Sequence, residues 1–65
     1  MKIVVNGKTC DVRAPDLAAL LAELDYAPEL VATALNECFV RAKERKARPL
    51  AEGDRVEILT PRQGG

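Results

Sequence analysis

From the first residue, apolar and polar positions nearly alternate: Met1, Ile3 and Val5 share one face, Lys2 and Val4 the other. A period of two is that of a β-strand. Asn6-Gly7 follows, the pair best suited to a two-residue type I′ turn, in which both central positions need φ above zero. Alternation resumes from Thr9 to Arg13, with Cys10 and Val12 opposed to Asp11 and Arg13. Residues Met1 to Arg13 are therefore expected to form a β-hairpin.

At Pro15-Asp16 the period changes. Leu17, Leu20, Leu21 and Leu24 fall at i, i+3, i+4 and i+7, a single apolar stripe along a helix. Ala18, Ala19 and Ala22 fill the intervening positions with the best helix former. Asp16 suits the N-cap, because its carboxylate accepts from free N–H groups and faces the positive end of the helix dipole. Pro28 cannot continue the helix, which is expected to end near Asp25 or Tyr26.

Val31 to Leu35 predicts a third strand, apolar or nearly so on both faces. Asn36-Glu37-Cys38 is expected as a turn, with Phe39-Val40 a short continuation. Arg41 to Arg48 is polar and rich in helix formers, so a short helical turn is expected there, stopped by Pro49. Leu50 anchors that segment to the core. Glu52-Gly53-Asp54 forms a turn, and Arg55 to Leu59 alternates as a last strand that Pro61 ends. The order gives an α+β domain: four strands covered by one main helix, with the leucine stripe resting on Ile3, Val5, Val12, Val56 and Ile58.

One consequence concerns the surface. The third strand cannot present both of its faces to a single helix. Either Ala32 and Ala34, or Val31, Thr33 and Leu35, must face outward, and together with Leu59 they form an exposed apolar patch. Leu59, Leu35, Thr33 and Phe39 are the candidate docking residues for a partner protein.

Composition narrows the chemistry. Sixty-five residues make one small domain without room for a large cleft. Ten basic residues balance ten acidic ones, whereas a general nucleic-acid binder is clearly basic. His, Ser and Trp are absent, which removes Ser/His nucleophilic catalysis and His-ligated metal sites. No catalytic residue, metal or bound cofactor is expected. Cys10 and Cys38 stand far apart, and no charged leader or membrane-length apolar run is visible. Free thiols and a cytoplasmic location away from the membrane follow as expectations.

The zero net charge conceals a division. Arg41 to Arg48 holds five basic residues and one acid, net +4, against −4 for the remainder. A solvated connecting loop accounts for such a segment; the alternative is electrostatic steering toward an acidic partner. RNA is disfavoured because no aromatic residue interleaves the cations.

The last residues are Pro61-Arg62-Gln63-Gly64-Gly65. Extended from Thr60, such a tail reaches roughly 17 Å. Two glycines without Cβ atoms can thread a narrow channel, and a terminal carboxylate is ionised at neutral pH, so it needs activation before a nucleophile can attack it. Residues 1–60 are expected to form the folded domain and 61–65 a flexible tail.

These features together resemble the ThiS family of ubiquitin-like sulfur carriers. The likeness rests on the Asn6-Gly7 hairpin, the leucine helix from Asp16 to Asp25, Val31 to Asn36, Phe39-Val40, Leu50 to Leu59 and Pro61 to Gly65, nearly the whole chain. The resemblance implies a mixed β-grasp sheet and the role of a co-substrate rather than a catalyst. It implies that an E1-like adenylyltransferase activates the Gly65 carboxylate with ATP, while Gly64, Gln63 and Arg62 thread the partner's active site. A sulfur donor protein then converts the adenylate to a thiocarboxylate, and thiazole synthase takes the sulfur for the thiazole of thiamine. A carrier for molybdopterin or another metabolite, or a ubiquitin-like interaction or conjugation module, stands as the alternative.

Overall fold

A computed structural model describes residues 1–60 of the chain. The first hairpin pairs β1 (Lys2–Val5) antiparallel with β2 (Lys8–Asp11), Ile3 opposite Cys10. Its turn has φ of +51° at Asn6 and +83° at Gly7, the backbone that an Asn-Gly pair favours.

Helix α1 (Leu17–Glu23) starts where Asp16 accepts a hydrogen bond from the Ala19 N–H at 2.8 Å. It stops in a left-handed residue, Asp25, at φ +65°. There the Asp25 N–H donates to the Ala22 carbonyl and the Tyr26 N–H to the Leu21 carbonyl, the paired bonds of a Schellman ending. Glu23 looks back to the preceding loop, its carboxylate accepting from the Arg13 and Ala14 N–H groups. The helix is thus held at both ends by local chemistry before any core packing is counted.

After a 3₁₀ turn (Pro28–Leu30), β3 (Ala32–Leu35) and β4 (Cys38–Val40) form a second antiparallel hairpin. The sheet therefore has five strands rather than four. The expected continuation at Phe39-Val40 is a full pairing strand, because Asn36 and Glu37 make a two-residue turn with φ of +51° and +72°. Cys38 begins β4 instead of sitting in the turn. A longer 3₁₀ helix (Ala42–Ala47) then leads to β5 (Arg55–Leu59).

The strand order is β2-β1-β5-β3-β4. Strand β5 lies in the centre, parallel to β1 and antiparallel to β3, while both hairpins hang from its sides. The result is a mixed sheet with one main helix on one face, as the β-grasp resemblance implied.

The core is the inner face of that sheet against the leucine stripe. Ile3, Val5, Val12, Val56 and Ile58 are buried with Leu17, Leu20 and Leu21; Leu24, Leu35, Leu50 and Cys10 are half-buried against them. Cys10 and Cys38 are both free thiols. Among the described residues no helix is long and apolar enough to cross a membrane.

Candidate docking face and acyl terminus

Strand register decides which side chains face away from the helix. Directly opposed residues in an antiparallel pair point to the same side of the sheet. Thr33 stands opposite both Val40 and Ile58, which are buried, so it points inward and is itself only 2% exposed. Leu35 stands opposite Val56 and Cys38 and packs half-buried on the core. Thr33 and Leu35 are therefore not on the outer face expected for docking, and the open choice on β3 falls to Ala32 and Ala34.

The outer face carries the other two candidates. Ala32 faces Leu59 across β3–β5, and Ala34 lies between Phe39 of β4 and Glu57 of β5. Phe39 is 69% and Leu59 60% exposed. The small Ala32 and Ala34 side chains leave a low floor between the two large ones. This face has an apolar centre, and the Glu57 carboxylate sits on it as a polar mark.

Thr33 has a structural task that its sequence context did not announce. Its hydroxyl donates to the Val40 carbonyl at 2.9 Å and accepts from Arg45 Nε at 3.1 Å. Arg45 is also buried, at 4% exposure, and its two terminal nitrogens donate to the carbonyls of Pro28 and Val31 at 3.0 and 2.8 Å. The basic segment is thus not a solvated loop throughout: its central cation is a tie between the 3₁₀ helix, β3 and the Pro28 turn. No local pattern marks Arg45 out, since Ala42 and Arg48, which eclipse it at the three-residue spacing of a 3₁₀ helix, are both exposed.

Gly65, Gly64, Gln63 and Arg62, the residues expected to carry and guide the acyl chemistry, lie outside the described residues, as does the expected division at residue 61. Leu59 closes β5 one residue before the described chain ends. The exposed apolar face therefore adjoins the point from which residues 61–65 depart. Among the described residues no group of three or more His, Cys, Asp or Glu side chains is placed to hold a metal ion.

Comparison with known proteins agrees with this architecture. The family model described as "ThiS family" matches residues 3–65. A crystal structure of a thiamine biosynthesis protein (ThiS) from Geobacter metallireducens superposes with a TM-score of 0.85 at 33% identity, covering 100% of both chains. A solution structure of a thiamine biosynthesis protein from the same organism gives a TM-score of 0.82 at 32% identity, covering 100% of this chain and 88% of that one. No curated protein matches the chain.

Proposed function

The chain belongs to the ThiS family, and from that premise we propose that it is a sulfur carrier of thiamine biosynthesis, working as a co-substrate at the Gly65 carboxylate. The observation that carries this reading is the extent of the family match, which runs through residue 65 and so includes Gly64-Gly65.

The chemistry follows from the inertness of a carboxylate. An ionised acyl group does not accept a sulfur nucleophile until one oxygen is made a leaving group. Attack of the Gly65 carboxylate on the α-phosphorus of ATP, in the site of an E1-like adenylyltransferase, expels pyrophosphate and gives an acyl adenylate. A hydrosulfide equivalent from a sulfur donor protein then displaces AMP and leaves a thiocarboxylate. Thiazole synthase is the acceptor, taking that sulfur into the thiazole ring.

The chain's own part is to present this group. Gly64 and Gly65 have no Cβ and allow close approach of a partner's backbone and nucleotide. Tethering the sulfur to a domain that docks raises its effective concentration at the acceptor. Phe39 and Leu59, flanking Ala32 and Ala34, supply the docking face, since apolar side chains clustered on a surface gain by burial against a partner. The Arg62 and Gln63 side chains guide the entering tail.

Intact-mass spectrometry of the protein isolated from its native host tests the proposal. Replacement of one carboxyl oxygen by sulfur, localised to Gly65 by fragmentation, is the expected result. Loss of ATP–pyrophosphate exchange with the adenylyltransferase on deletion of Gly65 is the second. Exchange that persists without Gly65 would overturn the carrier reading.

A further inference from the structure

The helix side of the molecule carries a second, separate surface. A cavity of about 320 Å³ opens between α1 and the two 3₁₀ segments, lined by Ala18 and Leu21 of the helix, Pro28 and Glu29 of the first turn, and Ala42 and Arg45 of the second. Four of these six contribute purely apolar side chains. The next residue along the first turn, Leu30, is 59% exposed, a large apolar side chain left in water beside the opening's own segment.

The exposed charges on the segment that forms one wall of the cavity are not balanced. Arg41, Lys43, Lys46 and Arg48 are all exposed on the segment that forms one wall. Opposing them locally are Glu44 on the same segment and Glu29 in the lining, both exposed. Lys43 and Lys46 are three residues apart in a 3₁₀ helix and therefore stand above one another on one side, next to the side on which Ala42 and Arg45 line the cavity. Arg45, the cation between them, is turned inward and tied to Thr33, Pro28 and Val31. The exposed cations are therefore presented from a segment fastened to the core, which limits the ordering cost a partner must meet.

We propose that this surface is a second protein-docking site, whose occupant is an acidic segment that places one apolar side chain in the cavity and sets its carboxylates against Lys43, Lys46, Arg41 and Arg48. The cavity suits a single anchor of the kind that dominates interface energies, and the exposed cations of the same segment supply orientation and association rate. A nucleic acid fits less well, because the cavity wall has no aromatic side chain to stack a base. This site is on the helix side of the sheet, whereas Phe39 and Leu59 are on the other. Two partners can thus be held at once, and the proposal does not depend on the chemistry at Gly65.

The test is a titration of the isotopically labelled full chain, followed by amide chemical shifts. The probe is a synthetic peptide of sequence Glu-Asp-Glu-Phe-Glu-Asp-Glu, compared with its Phe-to-Ala analogue, an oligouridylate and phosphatidylserine vesicles. The expected result is saturable shifts centred on Ala18, Leu21, Ala42 and Arg45, weakened at least about fivefold between about 50 and about 300 mM salt. The Phe-to-Ala analogue should bind at least about fivefold more weakly. The pair Lys43→Glu and Lys46→Glu, both surface positions, should remove the response with the circular dichroism spectrum unchanged, and Ala18→Trp should block the cavity. Should the Trp variant fail to fold, the charge reversals alone decide the matter. Shifts centred on Phe39 and Leu59, no saturable response at millimolar peptide, or stronger binding of oligouridylate or vesicles than of the peptide would each overturn the proposal.

Discussion

Asn6 and Asn36 grip the central strand from opposite sides. Both sit at the first position of a two-residue hairpin turn with φ of +51°, and both use a side-chain amide where the strand ladder has run out. On one side Asn6 Oδ1 accepts from the Ile58 N–H at 2.8 Å, while its Nδ2 donates to the Ile58 carbonyl at 3.2 Å. On the other, Asn36 Oδ1 accepts from the Arg55 N–H at 2.9 Å, and the Asn36 N–H donates to the Arg55 carbonyl at 2.7 Å. Asparagine meets two demands here: it tolerates a left-handed backbone, and its amide imitates a peptide group.

The first prediction isolates the second of those roles. Asn6→Gly keeps the turn conformation accessible but leaves the part-buried peptide groups of Ile58 without their partner. An unpaired group of this kind costs about 1–3 kcal/mol. Urea denaturation should show a loss of about 1–2 kcal/mol, or a fall in Tm of roughly 5–15 °C for a domain of this size. Unchanged stability would mean that water replaces the amide without cost.

Glu37 offers the opposite case. It holds φ +72° with a full side chain and a Cβ, in the position that glycine occupies in the first hairpin. Glu37→Gly should therefore stabilise the domain, by about 0.5–1 kcal/mol, because relief of the left-handed strain outweighs the added freedom of the unfolded chain. A higher midpoint in urea with an unchanged slope is the expected outcome.

Arg45 and Thr33 act together. Removing the guanidinium leaves the Pro28 and Val31 carbonyls and the Thr33 hydroxyl without this donor. Arg45→Met, which retains much of the side-chain volume, should cost about 2–3 kcal/mol, and Thr33→Val about 1–2 kcal/mol. Because the two share a bond, the double variant should cost less than the sum of the singles. Strict additivity would show that the Arg45–Thr33 contact carries no energy of its own.

The outer face gives a prediction about partners. Leu59→Asp and Phe39→Asp place a charge where an apolar surface is expected to meet the adenylyltransferase, and each should weaken binding at least about tenfold by calorimetric titration. Both side chains are more than half exposed, so thermal stability should change little. Thr33→Val, inside the sheet, should lower stability and leave affinity alone. The contrast separates docking from folding.

The elements most legible in the sequence are those whose signals are local. Alternation over Met1–Val5, the Asn6-Gly7 pair, the Asp16 cap and the four leucines each report a backbone choice made within a few residues. The turn after β3 is expected from Asn36-Glu37-Cys38, but not that two residues suffice for it or that Cys38 already begins a paired strand. The second residue of that turn is one that sterics disfavour at positive φ, so the local signal for a hairpin was missing although the hairpin forms. Pairing of β3 with β4 and of β3 with β5 supplies what the turn itself lacks.

By itself, then, the sequence determined most of the local elements and the leucine-covered core, and it holds the Gly64-Gly65 pair that the family match includes. Its zero net charge and a strand apolar on both sides left two questions that only the tertiary structure decided. Register against Val40 and Ile58 turns Thr33 inward and Ala32 and Ala34 outward, because a one-residue change in facing exchanges every side chain between core and solvent. Packing of the 3₁₀ helix on α1 takes Arg45 out of the basic run and fastens it to three oxygens of β3 and the segment leading to it. A charged residue becomes a buried tie when distant carbonyls converge on it, and that convergence is a property of the folded chain.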